Sequence, residues 1–355
     1  MSFSKPYPPD PITYQEYDAI VDALETRGGG GFSGYWKDRT QIINSRGNLW
    51  DFEPGNVQKA IDDLLDNSEG GAVWLPKGKV VETDQWLIDT AYPIHIFGAG
   101  MCWHGLDRGT MIEFQLANGK NCIEFYESGQ TGHYGGLYDF TIYPTSGDQD
   151  VIYINSWSDF HIERIYINQA KKHGINIESE SDAWNIWVKD CLIENCVNDG
   201  IRLDGGLGAG VVLKSYFLNN YFYSNNIDVE AGNLGGDDGQ VRLCQFHNNQ
   251  HFNTDTIGMK LYKKVESFLI MGAIFYACGG DAIDISDDGP ANKCTRINIG
   301  PVIIDGNGAT PNGIDIQGNT DRVVIDNFQI FDFTNAAINQ GGSVTNIKIG
   351  DGHQA

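Results

Sequence analysis

The chain has 355 residues, of which 47 are acidic and 24 basic, giving a formal charge of −23. Such an acidic balance argues against nucleic-acid binding, which needs a basic face. No run approaches the roughly 18–20 apolar residues of a membrane-spanning helix, so membrane insertion is not expected. The opening Met1-Ser2-Phe3-Ser4-Lys5-Pro6 is not a basic start followed by an apolar run, so no signal peptide is visible: either it has been removed, or the protein leaves the cell another way, for instance on a virus particle. The seven cysteines are an odd number without C-x-x-C spacing, which suits buried small apolar residues better than a disulfide or metal framework.

Residues 1–50 stand apart. A helix is expected over 11–24, with Tyr14, Tyr17, Ile20, Val21 and Leu24 on one face, ended by four glycines at 28–31. This stretch reads as an attachment or oligomerisation segment, and 51–355 as a single further domain. An amphipathic helix follows over 56–65, and then the strand phrase Gly70-Gly71-Ala72-Val73-Trp74-Leu75-Pro76-Lys77-Gly78.

From there a short phrase recurs: a small or polar residue, an aliphatic, any residue, an aliphatic. It appears as Cys122-Ile123-Glu124-Phe125, Val151-Ile152-Tyr153-Ile154, Gly174-Ile175-Asn176-Ile177 and Gly200-Ile201-Arg202-Leu203. It continues as Asn226-Ile227-Asp228-Val229, Gly258-Met259-Lys260-Leu261, Ala282-Ile283-Asp284-Ile285, Gly313-Ile314-Asp315-Ile316 and Ala337-Ile338-Asn339-Gln340. A spacing of about 25 residues with period-2 alternation inside each copy is the mark of a β-solenoid. A second half-repeat, as in Val212-Leu213-Lys214-Ser215-Tyr216-Phe217-Leu218-Asn219-Asn220, ends on asparagines that tolerate the left-handed bends such coils need.

The helix followed by G-G-x-V-x-L-P-x-G resembles the start of the pectate-lyase-like superfamily, whose members include polysaccharide lyases and tailspikes. The resemblance covers about residues 50–350. It implies an all-β, right-handed parallel β-helix of nine or more coils with an N-terminal capping helix. A cap suits a solenoid end, which otherwise exposes apolar core and strand edges. The tailspike likeness further implies a homotrimer, and an extracellular or virion-associated location. Asn198-Asp199-Gly200-Ile201 and Gly280-Asp281-Ala282-Ile283 are similar to two segments of polygalacturonases. Those segments lie on successive coils in that family and three coil steps apart here, so the activity is not carried over.

Within each copy the aliphatic residues point inward and the residue between them outward. The expected outward column therefore contains Arg202, Asp228, Lys260 and Asp284, beside a second column of Asp204, Glu230 and Tyr262. With coils about 4.8 Å apart, this patch suits a polysaccharide. For β-elimination on a uronic acid, Arg202 and Lys260 would neutralise the carboxylate, Lys260 would act as base and Tyr262 as proton donor. For hydrolysis, Asp204 and Glu230 would stand at the retaining separation, and Asp228 and Asp284 at the upper end of the inverting range. A salt-bridge ladder would show the same alternating signs. Tyr153, Trp157 and Glu178 are expected to line the substrate, since aromatic rings stack on sugars. Two acidic loops are weak Ca²⁺ candidates through Asp237 and Asp238, and through Asp287 and Asp288. The second begins D-x-S-x-D-G but lacks the acid at the twelfth position of an EF-hand. No cofactor is otherwise required. The functional expectation is a carbohydrate-active protein that depolymerises an extracellular polysaccharide, as a lyase first. A glycoside hydrolase, or a non-catalytic surface or virion adhesin, stands as the alternative.

Overall fold

A computed structural model of the chain describes residues 40–66, 70–102, 109–126, 132–180, 182–206, 210–232 and 239–354. The helix expected over 11–24 lies outside them. The first described elements are two strands, Gln41–Asn44 and Leu49–Asp51, which pair antiparallel across residue 50. The first of them also pairs with Gly71–Trp74. Helix α1, Asn56–Leu65, buries Val57, Ala60, Ile61 and Leu64 against these strands. That set follows the i, i+3, i+4, i+7 spacing of one helix face.

The rest is a parallel β-solenoid. One face of every coil contributes to a ten-stranded parallel sheet. Its strands are β1 (Trp86–Asp89), β2 (Ile123–Tyr126), β3 (Ile152–Asn155), β4 (Ile175–Glu178) and β5 (Asp199–Asp204). They continue as β6 (Ile227–Gly232), β7 (Ile257–Tyr262), β8 (Ile283–Ser286), β9 (Asn312–Ile316) and β10 (Ala336–Gln340). The remaining faces form a second, wound sheet of short strands such as Tyr216–Leu218 and Tyr221–Tyr223.

Strand alternation produces this shape directly. Ile152, Ile175, Ile201, Val229, Met259, Ile283 and Ile314 are cross-strand partners in one inward column, and all are fully buried. Each such side chain contributes about 1.5–3 kcal/mol of burial. Two aromatic columns fill the opposite side of the core. Phe217, Phe246 and Phe268 stack at 4.2 and 5.1 Å, and Phe222, His251 and Phe275 at 4.8 and 4.3 Å.

The bends use left-handed backbone, often on asparagine: Asn185, Asn195, Asn219 and Asn248 all have φ between 54° and 58°. Their inward neighbours form a hydrogen-bonded ladder. Asn220 Nδ2 donates to Asn249 Oδ1 at 3.1 Å, and Asn249 Nδ2 to the Phe217 carbonyl at 3.0 Å. A side chain that satisfies otherwise orphaned backbone groups explains the asparagine richness structurally. All seven cysteines are free and buried, as their composition led us to expect.

Candidate functional site

The outward column of the ten-stranded sheet runs Glu124, Tyr153, Asn176, Arg202, Glu230, Lys260, Asp284, Asp315 and Asn339. Beside it runs a second column, Asn155, Glu178, Asp204, Gly232, Tyr262 and Ser286. Gly232 is obligatory, because a Cβ there would lie 1.6 Å from the Tyr262 carbonyl oxygen.

The column has two halves with different chemistry. In the first, Tyr153 donates its hydroxyl to Glu178 Oε2 at 3.0 Å. Burial raises the Tyr153 phenol, as does the adjacent Glu178 carboxylate, so it stays protonated at neutral pH. Burial also raises the Glu178 carboxyl. Arg202 Nη2 donates to Asp204 Oδ2 at 2.8 Å, and its Nη1 lies 3.4 Å from His173 Nε2. His173 Nδ1 is in turn 2.8 Å from Asp199 Oδ2. This half is a fixed polar network with a guanidinium at its centre.

The second half is a run of carboxyl groups. Lys260 Nζ donates to Glu230 Oε1 at 2.6 Å. Its next neighbour along the column is Asp284, followed on the adjoining rung by Asp315. The Asp284 carboxyl is pushed up to about 6, chiefly by burial and next by the Asp315 charge. The Ser286 hydroxyl lies 3.5 Å from its Oδ2. Burial raises Asp281 as well, and its Oδ1 accepts both the Asn312 backbone N–H and Nδ2 at 2.9 Å. Asp315 Oδ1 accepts Gln317 Nε2 at 2.7 Å and Asn339 Nδ2 at 2.8 Å. Burial, helped by the neighbouring Asp315, thus lets Asp284 keep its proton up to about pH 6. Such a pair can act as acid and as base or nucleophile.

Three of the expected site residues are corrected: Asp228, Trp157 and Glu230, which stands in the first column and not beside Asp204 in the second. Asp228 does not point outward. It aligns with Gly200 and Gly258, this copy having slipped by two residues along the strand, so that Val229 aligns with Ile201 and Met259. Asp228 is fully buried and accepts Asn225 Nδ2 at 2.9 Å and His251 Nδ1 at 3.1 Å, together with the Thr254 hydroxyl. It is a core carboxylate, held by three donors, and Glu230 takes its place between Arg202 and Lys260. The inverting pair drawn through Asp228 therefore does not exist. Trp157 is also fully buried, edge-on to Phe125 at 5.1 Å, because the chain turns inward after Asn155. It is core and not a sugar platform.

The other expected residues are where the repeat places them, with altered partners. Asp204 is buried and committed to Arg202, and its cross-strand partner is Gly232, not Glu230. Tyr262 lies between two ammonium groups, Lys260 Nζ at 5.2 Å and Lys263 Nζ at 4.8 Å from its ring centre. Asp287 accepts the backbone N–H groups of Gly289 and Asn319, and Asp288 pairs with Lys263 at 2.6 Å. Among the described residues no cluster of His, Cys, Asp or Glu is arranged to hold a metal ion. Asp237 and Asp238 lie outside the described residues. Reasoning from sequence overlooked Asp315 as a site residue, although its signal was present: the phrase Ile-Asp-Ile stands at the same place in two successive copies, at Asp284 and Asp315.

No protein-family model matches the chain, and no curated protein matches its sequence. Solved structures do match in fold. A protein of Geobacillus virus E2, ORF18, superposes with a TM-score of 0.59 at 17% identity, covering 96% of this chain and 62% of that one. The A-module of the Azotobacter vinelandii mannuronan C-5 epimerase AlgE6 gives 0.56 at 13% identity, covering 84% and 94%. A DFA-IIIase variant from Arthrobacter chlorophenolicus A6, in complex with DFA-III, gives 0.53 at 12%, covering 98% and 93%. The chain thus spans less than two thirds of the length of the viral protein it matches. At these identities the likeness is one of fold, and what this chain shares with all three is the parallel β-helix.

Proposed function

We propose that the outward face of the ten-stranded sheet binds an extracellular polysaccharide and cleaves its glycosidic bonds with Asp284 and Asp315. One observation carries this reading: two carboxyl groups on adjoining rungs, one of them lifted to about 6, in an elongated polar column. Adjoining rungs are about 4.8 Å apart, close to the ~5–5.5 Å separation of a retaining pair. Asp284, as the carboxylic acid, gives its proton to the leaving glycosidic oxygen while the Asp315 carboxylate attacks the anomeric carbon. The resulting glycosyl ester is then hydrolysed by a water that Asp284, now a carboxylate, deprotonates. Arg202, Tyr153 and Glu178 bind the chain further along the column. The printed names of the epimerase module and the DFA-IIIase complex, both carbohydrate-acting proteins on this solenoid, support the substrate class. The viral match supports a virion-associated or extracellular setting. A homotrimer is the tailspike-like expectation, checked by light scattering.

β-Elimination is the second reading, favoured by the two lysines flanking Tyr262. Against it, Lys260 Nζ is held by Glu230 Oε1 at 2.6 Å. Incubation with acidic and neutral polysaccharides separates the readings. New reducing ends without an ultraviolet-absorbing unsaturated product support hydrolysis. An unsaturated product supports elimination. Binding with neither product leaves an adhesin and overturns both.

A further inference from the structure

The second, wound sheet carries a groove of about 480 Å³ on a different face from the carboxyl column. It is lined by Lys214, Tyr216, Leu243, Gln245, Arg296 and Asn298. Its volume falls within the range of small-molecule sites. Three features set it apart from the rest of the surface.

The first is the corner that forms one wall. Lys214, Leu243, Ser267 and Arg296 occupy successive coils, all with left-handed backbone, at φ 51°, 56°, 56° and 57°. Asparagine holds the equivalent bend elsewhere, as at Asn185. Leucine in this region is uncommon and gains nothing from it locally. Here it is 40% exposed. The second is an aromatic platform at one end. The Tyr216 ring stacks on Trp187 at 4.2 Å and 21°, and Trp187 stacks on His161 at 6.1 Å and 5°. The third is charge. Arg242 and Arg296 share one carboxylate, Glu266, at 2.9 Å and 2.5 Å. Lys214 is exposed and has no acidic partner among the described residues. In a chain of charge −23 this is a local excess of positive charge.

We propose that this groove is a second, non-catalytic subsite for an acidic oligosaccharide. The cationic corner residues Lys214 and Arg296 stand three inter-coil steps of about 4.8 Å apart, roughly 14 Å, which suits about three sugar units. A sugar ring lies on Tyr216 and Leu243 through its apolar face. Its neighbours' carboxylates meet Lys214 at one end and Arg296 at the other, and Gln245 and Asn298 bond hydroxyls along the floor. Such a subsite would hold an acidic polysaccharide while the carboxyl column works on another stretch of it.

Calorimetric titration of the full chain with trigalacturonate, trimannuronate and triglucuronate, and with the methyl ester of trigalacturonate, tests this. Binding of at least one acid trisaccharide is expected. A Lys214→Gln/Arg296→Gln double variant should weaken it about tenfold or more, with a shallower dependence on salt. Asp284→Asn should leave it unchanged, so that loss of the subsite and loss of the proposed catalysis are read separately. The esterified probe should bind at least tenfold less tightly than its acid. Leu243→Ser, an exposed change, should weaken binding without altering thermal unfolding. The proposal is overturned if no acid trisaccharide binds, if the ester binds as well as the acid, or if the double variant binds as the parent does. It is also overturned if the double variant dissociates a dimer of the chain, which would make the groove a self-contact.

Discussion

Replacing Asp228 by alanine separates a core carboxylate from a catalytic one. The side chain is fully buried and is the acceptor for Asn225 Nδ2, His251 Nδ1 and the Thr254 hydroxyl. His251 cannot turn elsewhere, because its ring is sandwiched between Phe222 and Phe275. Asp228→Ala strands three buried donors. Each buried donor left without an acceptor costs about 1–3 kcal/mol, so a loss of about 3–5 kcal/mol is expected here. Asp228→Asn keeps one oxygen acceptor and should lose roughly half as much. The assay is urea unfolding at neutral pH, followed by circular dichroism, alongside polysaccharide turnover on the folded fraction. A loss under about 1 kcal/mol, or abolished turnover at unchanged stability, would refute the buried assignment.

Other outcomes follow from the same geometry. Because the folded-state pKa of Asp284 is raised from 3.8 to about 6, the folded protein holds a proton there that the unfolded chain has released. Stability should therefore fall as pH rises from about 4 to 6, and Asp284→Asn should exceed the parent above that window by on the order of 2–3 kcal/mol, with no gain below pH 4. Urea midpoints across pH 4–8 check this, and equal midpoints for the two proteins at pH 7 contradict it. Phe246→Ala opens the Phe217–Phe246–Phe268 stack and should cost about 3–5 kcal/mol by the same unfolding assay. Trp157→Leu should lower the melting temperature while leaving polysaccharide affinity intact, since Trp157 is fully buried beside Phe125.

The fold was legible because inward-facing Ile, Val and Phe recur on a coil-length period with alternation inside each copy, the pattern of a β-solenoid. The site was legible only where the phrase was unambiguous. Ile227-Asp228-Val229 satisfies the aliphatic-x-aliphatic pattern as well as Val229-Glu230-Ala231 does, yet the second is the true inward–outward–inward segment. Alanine at 231 is small enough to be passed over as an inward residue, although it is fully buried, whereas Ile227 is only partly so. The two-residue slip moves Asp228 along the strand to the position that Gly200 and Gly258 hold on the neighbouring coils, at the bend where the strand's alternation has not yet begun, and there it is buried. What alternation could not supply at all is depth. Asp204 and Glu178 lie on one column, but Asp204 is buried against Arg202 while Glu178 receives Tyr153, and only the neighbouring coils decide that.

The carboxyl pair is the centre of the account. Turnover of a cleavable polysaccharide, measured as new reducing ends, should fall by about 10²–10⁴-fold in Asp284→Asn and again in Asp315→Asn, with both variants folded. The Lys214→Gln/Arg296→Gln variant should keep its turnover at saturating substrate. Full turnover in either aspartate variant would contradict the assignment of this face as the place where the bond is broken.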